Sequence, residues 1–101
     1  MNLKIIKAGI IIGLIFFNSH QNILYGQDLQ EKVKLCQGCH GINGKSFNSS
    51  WPNIANQNYK YLVKSLNDYK NNNRADTLMS PIAKSLSKED IIDLAEYYSG
   101  K

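Results

Sequence analysis

The pentapeptide at residues 36–40, CQGCH, constrains this chain more than any other feature. C-x-x-C-H is the spacing at which a protein attaches a c-type haem covalently. Two thiols three positions apart can each form a thioether with the haem, and the adjacent imidazole can bind the iron from one face. The motif therefore predicts one covalent haem c, with Cys36 and Cys39 as tethers and His40 as an axial ligand.

Three other sites contain C-x-x-C: a thioredoxin-type redox pair, half of a zinc site and a short-loop disulfide. Zinc needs about four Cys or His ligands. The pentapeptide supplies three, and the only other Cys or His in the sequence is His20, which lies in a segment expected to be removed. A thioredoxin-type pair occurs in a βαβ context, whereas residues around this motif have the pattern of a helix and a glycine-rich loop. Haem attachment is favoured, with a disulfide or redox thiols as the alternatives.

Residues 1–26 have the pattern of a secretory signal peptide. Lys4 and Lys7 precede a ten-residue apolar run at residues 8–17, which is shorter than the roughly 20 residues that span a bilayer as a helix. Cleavage is expected after Gly26, although Leu24 departs from the A-x-A pattern, and an uncleaved membrane anchor is the alternative. The chain is thus divided into a signal peptide, 1–26, and one domain, 27–101, exported to the periplasm.

The mature domain is small and weakly charged. Its 75 residues are too few for a large apolar core, so we expect the chain to be poorly folded without its haem. Without Lys4 and Lys7, the 12 Lys and Arg become 10 against 8 Asp and Glu. The lysines form no basic run, so nothing here favours nucleic-acid binding.

The mature sequence predicts an all-α domain with three main helices. The first begins at Asp28, expected as its N-cap; the second follows Asn58 and ends at residues 71–73; the third follows Ser87 and ends at Gly100. A short helical turn is predicted at residues 82–86. The loop at residues 41–58 is expected to cover the haem or the core with its two large apolar residues, Phe47 and Trp51.

Met79 is the predicted sixth ligand of the iron. A thioether sulfur opposite a histidine is a standard axial pair, and no other Met, His or free Cys remains in the mature chain. Met79 is predicted in a loop next to Pro81. A pentacoordinate iron is the alternative.

These motifs resemble the class I cytochromes c, especially the small bacterial periplasmic monohaem kind. CQGCHGINGKS at residues 36–46 resembles C-x-x-C-H-G-x-x-G-x-S, and PNIANQ at residues 52–57 resembles P-x-L-A-G-Q. Residues 69–74 resemble an aromatic-basic stretch ending in Arg, and LAEYY at residues 94–98 resembles the closing helix. Asn56 and Asn73 stand where the family usually has Gly, and Asn tolerates a positive φ.

The resemblance implies the class I cytochrome c fold, with loops wrapped around one covalent haem. It implies the Cys36 and Cys39 thioethers, His40 and Met79 as ligands, and the Pro52 carbonyl as acceptor for the His40 N–H. The function it implies is one-electron transfer, without enzymatic activity, in a periplasmic or respiratory chain.

Two alternatives stay open for the function: a cytochrome subunit of a larger redox complex, such as a flavocytochrome sulfide dehydrogenase, and a haem sensor or enzyme with an open sixth site. The expected partners are a redox donor and a redox acceptor of unknown identity. No nucleic acid is expected, and a membrane is expected only through partner complexes or an uncleaved signal.

Overall fold

The computed structural model describes residues 28–101, so the predicted signal peptide lies outside the described residues. Residues 28–101 form four α-helices and no β-strand, which confirms the all-α prediction. The helices are α1, described from residue 28 to residue 40, α2 (Tyr59–Lys70), α3 (Met79–Lys84) and α4 (Lys88–Ser99). None of the helices in this part of the chain is long and apolar enough to cross a membrane.

Helix α1 delivers the C-x-x-C-H motif at its end. Asp28 lies within the helix, whereas an N-cap residue lies just before the first helical residue, so the prediction that Asp28 is the N-cap is wrong. The spacing of Leu29, Val33 and Cys36 predicts one apolar face, and the structure has it: Val33 is fully buried, and Leu29 and Cys36 pack against the core. The last turn of α1 therefore presents its first cysteine on the side where the other helices pack.

Helices α2 and α4 begin at the predicted caps. The Asn58 side chain accepts a hydrogen bond from the Tyr61 N–H at 3.1 Å. Ser87 and Asp90 form a reciprocal capping box at the start of α4, and Gly100 is its C-cap. Such side chains satisfy N–H groups that have no partner within the helix, which stabilises the start by about 1 kcal/mol.

Helix α3 differs from the predicted turn at residues 82–86 and from the predicted loop around Met79. The helix begins at Met79 and ends at Lys84. The physical reason is the Asp76 carboxylate, which accepts hydrogen bonds from the N–H groups of Leu78 and Met79, each at 2.8 Å. These bonds satisfy backbone donors at the start of the helix, so the helix forms earlier than apolar spacing alone indicates.

The core joins α1, α2 and α4 around one apolar cluster. An ion pair between Lys32 and Asp90, at 3.8 Å, links α1 to α4, and the Lys70 ammonium donates to the Leu86 carbonyl beyond α3. Most residues of this cluster also line a cavity, so the hydrophobic core forms part of the cavity wall. The buried members of the cluster are Val33, Leu62, Leu86, Ile91, Leu94, Ala95 and Tyr98.

Candidate haem site

A cavity of about 490 Å³ lies between the helices and the loops at residues 41–58 and 71–78. The structure brings all the site residues that the sequence singled out to the wall of this one cavity. They come from the end of α1, from the following loop and from the start of α3, and are Cys36, Cys39, His40, Pro52 and Met79.

The two cysteines are free, half-buried thiols. The Cys36 thiol donates to the Lys32 carbonyl at 3.7 Å. Burial raises the pKa of the Cys36 thiol, the adjacent Tyr98 hydroxyl lowers it in part, and the charge of Cys39 raises it further. A redox nucleophile needs a depressed thiol pKa, so the surroundings of Cys36 do not favour a thioredoxin-type pair.

The His40 ring is buried and fixed by one hydrogen bond. Its Nδ1–H donates to the Pro52 carbonyl oxygen at 2.7 Å, and the residue is 8% exposed. Because a carbonyl can only accept, Nδ1 carries the proton and Nε2 keeps its lone pair. Nε2 is therefore the ring nitrogen that can bind a metal, in an orientation set by the loop.

Two glycines turn the loop so that Pro52 reaches His40. Gly41 and Gly44 have φ values of 85° and 77°, in the left-handed region that favours glycine. The Gly44 carbonyl accepts from the N–H groups of Ile54 and Ala55, at 2.8 and 3.0 Å. The chain after Pro52 is thereby fastened to the chain just after the C-x-x-C-H motif.

We expect Gly41→Ala to destabilise the protein severely, because an added Cβ would lie 1.9 Å from the Lys45 carbonyl oxygen at a positive φ. The backbone conformation alone costs roughly 1–2 kcal/mol, and the clash adds to it. Gly38→Ala is the matched control, since its Cβ meets nothing within 4 Å and alanine is favoured in a helix by about 1 kcal/mol. Urea unfolding measures both; equal stability of the two variants would contradict the role of Gly41.

The two asparagines that stand where the family usually has Gly differ in backbone conformation. Asn56 has a φ of 56°, as expected. In the second turn the positive φ, 62°, is at Asn72 and not at Asn73, so the turn is kept with another asparagine in the left-handed conformation. The reason is the hydrogen bonding after α2: the N–H groups of Asn73 and Arg74 both point to the Asp68 carbonyl, which moves the left-handed residue one position earlier.

The two large apolar residues of the loop are not equivalent. Trp51 is half-buried and lines the cavity. Phe47 is 93% exposed, so the expectation that it packs on a cofactor or in the core is wrong. The preceding Ser46 hydroxyl turns inward to the Cys39 carbonyl, at 3.2 Å, and Phe47 lies on the outside of that turn.

Asp76 is a site residue that sequence reasoning missed. Its carboxylate holds the backbone of Met79, and the N–H groups of Met79 and Leu78 lower the pKa of that carboxylate. The signal was present in the sequence as an Asp three residues before Met79, the spacing of a helix cap. The Asp76 carboxylate thus helps to hold Met79, which is half-buried, at the cavity wall.

The lining of the cavity fits haem c. The two thiols suit covalent attachment of haem, and an imidazole with a thioether is one of the standard axial pairs for its iron. The volume lies within the roughly 300–1,000 Å³ of cofactor pockets. Among residues 28–101, the Tyr98 hydroxyl is buried on this wall without a hydrogen-bond partner. Within the same range, no three His, Cys, Asp or Glu side chains come together as an ordinary metal site.

Known proteins are similar to this chain in sequence. The profile of the Cytochrome c family matches residues 23–99. Cytochrome c-554(548) of Halomonas halodenitrificans is 37% identical over 75 residues, which are 71% of this chain and 90% of that protein. The cytochrome subunit of sulfide dehydrogenase of Chlorobaculum tepidum is 40% identical over 63 residues, 62% of this chain and 56% of that protein.

A solved structure has the same arrangement. Acidithiobacillus ferrooxidans cytochrome c4 superposes with a TM-score of 0.63 at 35% identity, over 65% of this chain and 38% of that one. This chain therefore spans nearly the whole Halomonas protein and well under half of the cytochrome c4 chain. The family match, the fold and the cavity lead to one conclusion: this chain belongs to the class I cytochrome c family, as a small monohaem electron carrier with haem c attached through Cys36 and Cys39.

Proposed function

We propose that this protein carries single electrons in a periplasmic or respiratory chain, with His40 and Met79 as the axial ligands and without enzymatic activity of its own. The observation that carries the proposal is the convergence of the two thiols, the imidazole and the thioether around one cavity. When bound, haem c supplies a one-electron Fe(III)/Fe(II) couple.

The chain's own residues hold both ligands in fixed orientations. The Pro52 carbonyl fixes the tautomer and the plane of the His40 ring. The Asp76 carboxylate fixes the backbone of Met79. Two rigid ligands suit a carrier, since ligands that stay in place keep the reorganisation between the two oxidation states small.

The rim of the cavity offers a surface to redox partners. Leu35, Tyr61 and Leu78 line the cavity and are each about half exposed, at 49%, 51% and 53%. An apolar rim of this kind suits short-lived docking of a donor or an acceptor protein. The signal-peptide pattern of residues 1–26 supports the periplasm as the compartment, with a membrane tether if the signal is not cleaved.

A second candidate is a cytochrome subunit of a larger redox complex. The similarity to the cytochrome subunit of the Chlorobaculum sulfide dehydrogenase favours it, and the same apolar rim would serve a permanent partner. Purification of the native protein separates the two, because a carrier elutes alone and a subunit elutes with its partner.

Carbon monoxide binding to the reduced protein tests the carrier against a haem sensor or enzyme. A carrier with Met79 in the sixth position is expected to bind almost no carbon monoxide at neutral pH, whereas an open site binds it rapidly and stoichiometrically. Rapid binding by the wild-type protein would reject the carrier function.

A further inference from the structure

Tyr98 is the residue that the proposed function leaves unexplained. It is 2% exposed, lines the cavity and has a hydroxyl without a hydrogen-bond partner among residues 28–101. A buried polar group left unpaired costs about 1–3 kcal/mol, and phenylalanine would fill the same space. The hydroxyl is therefore free to pair with an acceptor in the haem-containing protein.

The Tyr98 ring cannot swing away from the cavity. The rings of Tyr98 and Tyr97 form a T-shaped pair, with ring centroids 4.9 Å apart and planes at 86°. A Cβ built on Gly44 would lie 3.0 Å from Tyr98 Cδ1, so the loop covers the ring closely. The Asn56 N–H also donates to the Tyr98 carbonyl at 2.9 Å, which ties the loop to the end of α4.

The Cys36 side chain packs against the buried cluster to which Tyr98 belongs, and both residues line the cavity. The two groups interact: each shifts the pKa of the other, and burial together with Cys36 raises the pKa of the Tyr98 hydroxyl far above its ordinary value. The hydroxyl is therefore protonated at neutral pH and is a donor. The single proton of the Cys36 thiol is directed to the Lys32 carbonyl.

We propose that Tyr98 is a positioning residue for the attached haem, and that its hydroxyl donates a hydrogen bond to the Cys36 sulfur of the thioether. The inference rests on the covalent attachment through Cys36. In a thioether this sulfur has no proton and can only accept, so the only hydrogen bond the two groups can form is one that the hydroxyl donates. The Cys36 sulfur links α1 to the haem, and the bond would hold this sulfur in place against α4.

A double-mutant cycle on the haem-containing protein tests the bond. Tyr98→Phe is expected to raise the unfolding equilibrium constant about threefold to tenfold, the range for one hydrogen bond, and this effect is expected to vanish when Cys36 is Ala. Tyr97→Phe, the matched control on the same helix, is expected to change it by less than about twofold. A neutral or stabilising Tyr98→Phe would overturn the proposal, and so would equal destabilisation in both backgrounds, since the acceptor would then be another group, such as a haem carboxylate.

A second measurement does not depend on the yield of the Cys36→Ala variant. In the reduced, diamagnetic wild-type protein, NMR is expected to show a slowly exchanging Tyr98 hydroxyl proton with a cross-relaxation peak to the Cys36 β protons, absent in Tyr98→Phe. A rapidly exchanging hydroxyl, or one close only to other groups, would overturn the proposal. The alkaline pyridine spectrum of the same samples reports covalent haem c independently, so failure here is distinct from failure of the proposed function.

Discussion

Replacing Met79 by Leu is expected to lower the reduction potential by on the order of 100 mV or more, since axial ligands set haem potentials over a wide range. The weak absorption band near the red end of the oxidised spectrum is expected to disappear as well. A thioether sulfur favours Fe(II), and leucine has no donor atom. Because Leu and Met are similar in volume, the packing at the start of α3 is kept.

Potentiometric titration and the oxidised absorption spectrum measure this effect. Leu78→Ala is the matched control, since it changes the adjacent cavity residue, which is 53% exposed, and leaves the sulfur in place. The control is expected to keep the band and nearly the same potential. A Met79→Leu protein with the band and potential of the wild type would show that Met79 is not the sixth ligand.

Replacing both Cys36 and Cys39 by Ala is expected to abolish cooperative folding. Without an attached haem, the apolar side chains around the cavity of about 490 Å³ have no cofactor to pack against, and a chain of this size has little other apolar burial to keep it folded. A typical small domain is stable by only about 5–15 kcal/mol, so the loss of this burial is expected to remove the stability of the fold. The chain is then expected to lose most of its helical structure.

Far-ultraviolet circular dichroism with urea unfolding measures the loss. The matched control is Gln37→Ala combined with Gly38→Ala, which changes the same pentapeptide twice and keeps both thiols. This control is expected to bind haem and to unfold cooperatively. A double-cysteine variant that is fully helical and cooperative without haem would contradict the dependence of the fold on its cofactor.

The parts of the fold that sequence could predict are those specified by local signals. The caps at Asn58 and Ser87 and the stop at Gly100 each depend on hydrogen bonds within a few residues. The buried face of α4 follows from apolar spacing, so its helix and its core residues were both predictable.

The parts that sequence alone could not predict depend on contacts between distant segments or on competing hydrogen bonds. The exposure of Phe47 follows from the inward turn of Ser46, and the start of α3 at Met79 follows from the Asp76 carboxylate. The contact of His40 with Pro52 was expected only from the family resemblance, because nothing local fixes the course of the loop between them. The packing of Cys36 against the cluster that contains Tyr98 joins two helices far apart in the chain, and only the folded structure shows it.

The absorption spectrum after alkaline pyridine treatment of the protein purified from the periplasm tests covalent haem attachment at Cys36 and Cys39 most directly. We expect the spectrum of a haem with both vinyl groups saturated, about one per chain, that stays with the polypeptide on acid–acetone extraction. A haem that is extracted into the solvent, or a protein without haem, would contradict attachment through these two cysteines.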